Sequence, residues 1–257
     1  MSLRRSLAIT RNELRVLRRD PSPLIILLVM PLIVAPIFRA TYRATLVLAG
    51  HRGASGAEFG VPGEAVQFLF FLAPTIGFAF FREHGWNTWQ RLRTSPATAS
   101  EIIAGKSIPM IALGAVQLAV LFFVGFVALD LHIPGSVIGV VLISGALLVC
   151  VVALGIALTA VFRTLQQLSA VGYVGATLFS ALGGALVPRA TLPGWARAIG
   201  PAVPQYWAMR GYQALILDGQ GIGAALLPVA VLLAFTSAFV LIALARFRIN
   251  DDKVAWA

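Results

Sequence analysis

Apolar residues come in long blocks along this chain, separated by short polar stretches. A helix needs about 20 predominantly apolar residues to cross the ~30 Å hydrocarbon core of a bilayer. Six blocks approach or exceed that length, at about residues 24–48, 64–81, 107–129, 135–162, 168–187 and 222–245. They predict an all-α integral membrane protein of six transmembrane helices, one membrane domain over residues 1–257. Pro31 and Pro36 should kink the first block, and Pro74 and Gly77 lie inside the second; neighbouring helices accommodate such breaks in lipid. The fourth is rich in Gly and Ala, which lets helix backbones approach closely.

The polar stretches have patterns of their own. In residues 1–20, Leu3, Leu7, Thr10, Leu14 and Leu17 recur at helical spacing, while Arg4, Arg5, Arg11, Arg15, Arg18 and Arg19 fall mostly elsewhere. This predicts an amphipathic helix lying in the membrane interface with its arginines toward anionic head groups. A solvated basic tail is the plainer alternative. The run Asp20-Pro21-Ser22-Pro23 ends the helix and turns the chain. Residues 50–63 read as a polar, Gly-rich external loop. Its Gly53-Ala54-Ser55-Gly56 matches the GxSG string of intramembrane serine proteases, but it stands in a loop rather than an apolar helix. Residues 188–221 are semi-apolar, broken by Pro193, Pro201 and Pro204, with Trp195, Tyr206, Trp207 and Tyr212 at interface-type spacing. Two short helices, about 194–199 and 205–217, are expected there as re-entrant half-helices that enter the outer leaflet without crossing it.

Composition agrees with this picture. Only 12% of the residues are charged and 59% are hydrophobic, against about a quarter charged in soluble domains. The net charge of +10 raises nucleic acid as a partner, but the charges bracket the apolar blocks as topology signals do. Fourteen of the twenty Lys and Arg lie in residues 1–20, 82–106, 163–167 and the C-terminal tail, and six on the opposite side. Both termini and the 82–106 loop are therefore expected in the cytoplasm, and 188–221 outside. Leu24 onward reads as a lasting span rather than a cleaved signal peptide. The single cysteine, Cys150, sits in an apolar block with no ligand-spaced partner. Arg39 and Arg43, one helical turn apart near the far end of the first span, either snorkel to the interface or face a substrate path.

Residues 82–106 carry the densest mixture of charge and aromatics. A short helix over 83–93 would place Trp86, Trp89 and Leu92 on one side with Arg82, Arg91 and Arg93 around them, an anchor for a partner's groove. Insertion of the tryptophans into the lipid interface is the alternative. Thr98 and Glu101 are spaced as a capping box that would begin the third span.

In order along the chain stand Glu83-His84-Gly85-Trp86, Leu92, Ser95-Pro96, Glu101 and Gly105-Lys106, and later Leu192-Pro193, Trp195, Pro201, Pro204, Tyr206, Gln213, Leu217 and Gly219. With six spans and a basic amphipathic N-terminal helix, this set resembles the permease subunits of ABC-2-type transporters. Trp86 replaces the family's usual Thr, and Gln90 stands where an acid is common.

The resemblance implies a half-transporter in a bacterial plasma membrane. It would pair with a second permease copy and with two copies of an ABC ATPase subunit, which bind ATP and Mg. The coupling interface would be Arg82, Glu83, Gly85, Trp86, Trp89, Leu92, Ser95 and Pro96. An external gate would comprise Pro193, Trp195, Pro201, Pro204 and Tyr206. Arg39, Arg43, Phe70 and Phe78 would line a pathway for an amphipathic drug, antibiotic or lipid-like cargo, with a lipid or polysaccharide-precursor exporter as the alternative.

No cofactor is expected in this chain. Gly105-Lys106-Ser107 matches only the tail of a phosphate-binding loop, without the upstream glycine at the required spacing. A membrane-embedded enzyme would need clustered ionisable groups at membrane depth. His51, His84 and His132 are scattered, and all ten acidic residues fall in loops, tails or span ends. An ATP-independent carrier would show inverted repeats or charged broken helices, and neither stands out.

Overall fold

The computed structural model describes residues 3–247 and Lys253. Arg248 and most of the C-terminal tail used in the topology reading lie outside the described residues. The described residues are helical with no strand element. Five helices are long and apolar enough to cross a membrane: Ser22–Leu48, Ala57–Gly85, Ala99–Ala128, Val137–Val161 and Gly223–Arg246. The block expected as the fifth span forms a helix, Leu165–Gly183, but Gln166 and Gln167 make it less apolar than the others. Gly184 in the left-handed conformation ends it, four residues before the expected boundary.

We label the helices α1 (Leu3–Arg19), α2 (Ser22–Leu48), α3 (Ala57–Phe70), α4 (Leu72–Gly85), α5 (Trp89–Thr94), α6 (Ala99–Ala128), α7 (Val137–Val161), α8 (Leu165–Gly183), α9 (Gly194–Ile199), α10 (Pro204–Ile216) and α11 (Gly223–Arg246). Helix α2 contains a π-helical stretch, Ile25–Val29. At the turn before it, the Asp20 carboxylate accepts hydrogen bonds from the Ser22 hydroxyl and backbone N–H. These bonds, the hydroxyl's first, hold the carboxyl below its ordinary range.

Helices α3 and α4 form the centre of the bundle. Phe59, Val61, Val66, Leu69, Leu72, Ile76 and Phe80 are essentially inaccessible. Helix α7 packs along α11 for most of its length and also against α4. The outward faces stay apolar: Ile37, Phe123, Phe126, Val174, Leu226 and Leu244 are exposed. Exposed apolar surface on helices of this length is what lipid covers.

Two expectations are corrected here. Residues 57–63, read as external loop, are the first two turns of α3. Gly56 adopts φ 96°, and the Glu58 carboxylate accepts from the Ser55 and Gly56 N–H groups and the Ser55 hydroxyl. That turn absorbs the serine of the Gly53–Gly56 string into a helix start. Burial of Phe59 and Val61 then outweighs the local preference of Gly60, Pro62 and Gly63.

The helix expected over 83–93 is two pieces. Helix α4 ends at Gly85, and Asn87 at φ 55° reverses the chain before α5. The turn is held by Thr88, whose N–H donates to the Glu83 carbonyl at 2.9 Å and whose hydroxyl donates to the Glu83 carboxylate.

The helix of the third block extends back from 107 to Ala99, where it starts under the Thr98–Glu101 capping box as expected: Glu101 N–H to Thr98 Oγ1, 3.3 Å, and Thr98 N–H to Glu101 Oε2, 2.9 Å. Thr98→Ala should cost about 1 kcal/mol of stability, read as faster hydrogen exchange over residues 99–102. Exchange unchanged there would show that the cap contributes nothing.

Between α8 and α11, α9 and α10 fall within a residue of the two short helices expected. Helix α10 is an interior element: Ala208, Met209, Tyr212 and Leu215 are buried among α3, α7, α8 and α11, and the Tyr212 hydroxyl pairs with Ser144 at 2.8 Å.

Candidate functional site

The strongest polar constellation lies where α1, the end of α4 and the start of α6 meet. Lys106 of α6 is fully buried. Its ammonium donates to Glu13 Oε1 at 2.5 Å, Glu83 Oε1 at 3.0 Å and the Ala79 carbonyl at 3.0 Å. Arg82 Nη2 reaches the other Glu13 oxygen at 2.6 Å. Two carboxylates and two cations thus form a compensated buried knot. Lys106 can make three donations, and all three are used. Such a knot adds little net stability against an apolar replacement, but loss of one member leaves an uncompensated buried charge. It therefore specifies how three elements sit together.

Helix α1 reaches this site through a face unlike the leucine stripe. Leu3, Leu7 and Leu14 remain exposed, and Ser6, Thr10 and Glu13 are buried against α6. Small residues allow the close approach. A Cβ on Gly105 would lie 2.7 Å from Ile9 Cβ and 2.9 Å from the Ser6 carbonyl oxygen, and the Thr10 hydroxyl donates to the Gly105 carbonyl at 3.1 Å. Arg5 completes the attachment, donating to the Pro96 carbonyl at 2.5 Å and lying 3.8 Å from Glu101.

Of the expected coupling residues, Arg82 and Glu83 belong to the knot and Gly85 ends α4. Trp86 and Trp89 do not share a face. Trp86 is 54% exposed with the Arg82 guanidinium 5.1 Å from its ring centre. Trp89 is 5% exposed and stacks on His84 at 4.5 Å. The turn at Asn87 separates them. Ser95 closes α5 by donating to the Leu92 carbonyl at 2.6 Å. A groove of about 770 Å³ opens between α1 and this elbow, with Asn12, Val16 and Arg19 on one wall and Trp86, Arg91 and Leu92 on the other.

The remaining expected residues are dispersed. Phe78 lines that groove, two turns further along than Phe70 and close to the elbow. Phe70 is 2% exposed inside the central core and lines none of the grooves described here. Arg39 and Arg43 share a separate groove of about 690 Å³ with Ser55. Arg39 donates to the Ser55 carbonyl at 3.3 Å and lies 3.4 Å from exposed Asp130. Pro193 and Pro204 start α9 and α10, and Trp195 is exposed. Tyr206 stacks under Arg189 at 4.5 Å, and the Pro201 carbonyl accepts from the Trp207 indole at 2.9 Å.

Sequence reading missed Glu13, Lys106 as a structural centre, and Glu64. Glu13 had a signal: it is the one acid in the basic helix Leu3–Arg19, one turn after Thr10. Glu64, expected at a span end, lies two turns inside the helix that starts at Ala57.

Apolar helices of membrane-crossing length around a buried core, with an amphipathic helix pinned to their polar end, define a multi-pass helical membrane protein. The chain belongs to the ABC-2 type transporter family, whose sequence model matches residues 5–217. This is a family of membrane transporter components rather than enzymes. The chain is also similar to the linearmycin resistance permease protein LnrN of Bacillus subtilis strain 168, 25% identical over 189 residues. The match takes in 72% of this chain and 48% of the relative, so the chain spans about half the length of that protein.

Proposed function

We propose that this chain is the permease subunit of an ATP-binding-cassette exporter in a bacterial plasma membrane, with cytoplasmic termini, α8 as a sixth span, and α9 and α10 on the external side. Two copies form the pathway, and two ATPase subunits, which hold ATP and Mg, dock at the α4–α5 elbow. The cargo is an amphipathic compound of the antibiotic or lipid-like kind.

The observation that carries this reading is the elbow itself. Trp86 projects beside an open groove while the chain on either side is locked, Trp89 by burial and Glu83 by Lys106. A rigidly mounted exposed tryptophan with arginines around it is a binding anchor. Force applied at the elbow would pass through the knot into α1, α4 and α6 together, because all three share the Lys106 ammonium or its counter-ions. Their tilting would open the pathway, and the segment around Pro193 and Tyr206 would gate its outer end.

The two tryptophans separate docking from folding. Trp86→Ala should reduce co-purification of the ATPase subunit at least tenfold and leave the unfolding temperature near wild type. Trp89→Ala should lower the unfolding temperature, since truncating a buried Trp costs about 3–5 kcal/mol. Full ATPase co-purification with Trp86→Ala would sink the anchoring role.

A further inference from the structure

A third groove, of about 550 Å³, lies between α2, α3 and the segment after α8. Its volume falls in the range of small-molecule sites, about 300–1,000 Å³. Val34, Phe38, Phe68 and Val187 supply apolar walls, and Gln67 and Thr41 contribute polar edges. Its one charged lining residue is Glu64, 2% exposed, whose Oε2 is buried and has no hydrogen-bond partner among the described residues.

Three lining hydroxyls donate elsewhere: Tyr42 to the Leu186 carbonyl at 3.2 Å, Thr45 to the Thr41 carbonyl at 3.0 Å and Thr191 to the Pro188 carbonyl at 2.8 Å. No Lys or Arg lines the groove. Glu58, in the first turn of the same helix, shows what a satisfied carboxylate looks like here, with two N–H groups and a hydroxyl donating to it. An unpaired buried carboxyl is costly, and a bound cation removes that cost.

We infer that this groove binds an amphipathic molecule whose protonated amine pairs with Glu64 while its apolar body lies against Phe38 and Phe68. The site selects against anionic amphiphiles, which would set like charges together. The inference rests on the permease reading for what becomes of the bound molecule; binding itself needs no ATPase.

The test uses the full chain in nanodiscs and tritiated propranolol, a basic aliphatic secondary amine carrying a naphthyl ring, by scintillation proximity. Dodecylamine should displace it at least tenfold better than dodecanol, and dodecanoate should not displace it. Glu64→Gln should weaken propranolol binding at least tenfold, and Glu64→Asp should retain most of it. Equal displacement by dodecanol and dodecylamine would overturn the assignment, as would wild-type affinity in folded Glu64→Gln. So would Glu64→Gln that changes the oligomeric mass and leaves binding intact, which would make the groove a subunit contact. If Glu64→Gln fails to fold, the competitor series on the wild-type chain still decides. Absent binding with intact ATPase association sinks this inference alone; intact binding with lost ATPase association in every elbow variant leaves it standing.

Discussion

Replacing Lys106 with Met is expected to destabilise the protein by about 3–5 kcal/mol, the usual cost of stripping one partner from a buried ion cluster. Glu13 and Glu83 are then left buried with Arg82 alone between them, and the Ala79 carbonyl loses its lysine donor. The first consequence is local: α1 loses its attachment to α6, so hydrogen exchange over residues 3–19 rises before exchange in α7 or α11. The variant Lys106→Met with Glu83→Gln removes one carboxylate together with the cation and should recover part of the loss. Recovery of at least 1 kcal/mol over the sum of the single effects is the measure of a coupled network. A lone Lys106→Met that unfolds at the wild-type temperature would show that the knot is not a structural centre.

The second large effect is steric. Gly105→Val places a branched side chain where even a Cβ meets Ile9 and the Ser6 carbonyl at under 3 Å. Overpacking of this kind costs about 1–3 kcal/mol. Backbone on the α1 side leaves little room to yield, so α1 should lift from α6 and break the Thr10 bond to the Gly105 carbonyl. Lys106 then loses Glu13 and keeps Glu83. The expected readout is protease access near Asp20, with α7 and α11 still protected from exchange. Unchanged protection of residues 3–19 in Gly105→Val would contradict the close approach.

Both predictions turn on residues with different visibility in the sequence. Gly105-Lys106 was legible as a pair in a resemblance, and its meaning was not. The glycine admits α1 and the lysine binds it, and neither role has a local signature, because the partners Ile9 and Glu13 lie over 90 positions away. The amphipathic period of α1 was legible, but of its members only Thr10 belongs to the small polar face that packs on α6, while Leu3, Leu7 and Leu14 stay exposed. Trp86 and Trp89 would share a face only if one helix ran across Asn87. Asn87 at positive φ, held through Thr88 and Glu83 two residues after Gly85, breaks that period.

The hydrophobic blocks by themselves determined that this chain is helical and crosses a membrane, because span length follows from bilayer thickness alone. The Thr98–Glu101 cap was equally local and was readable for that reason. What the tertiary structure decided was where helices begin against weak local preference, as at Ala57, and which charges meet. Burial energy and long-range ion pairing depend on neighbours brought together by folding, and linear spacing carries no record of them.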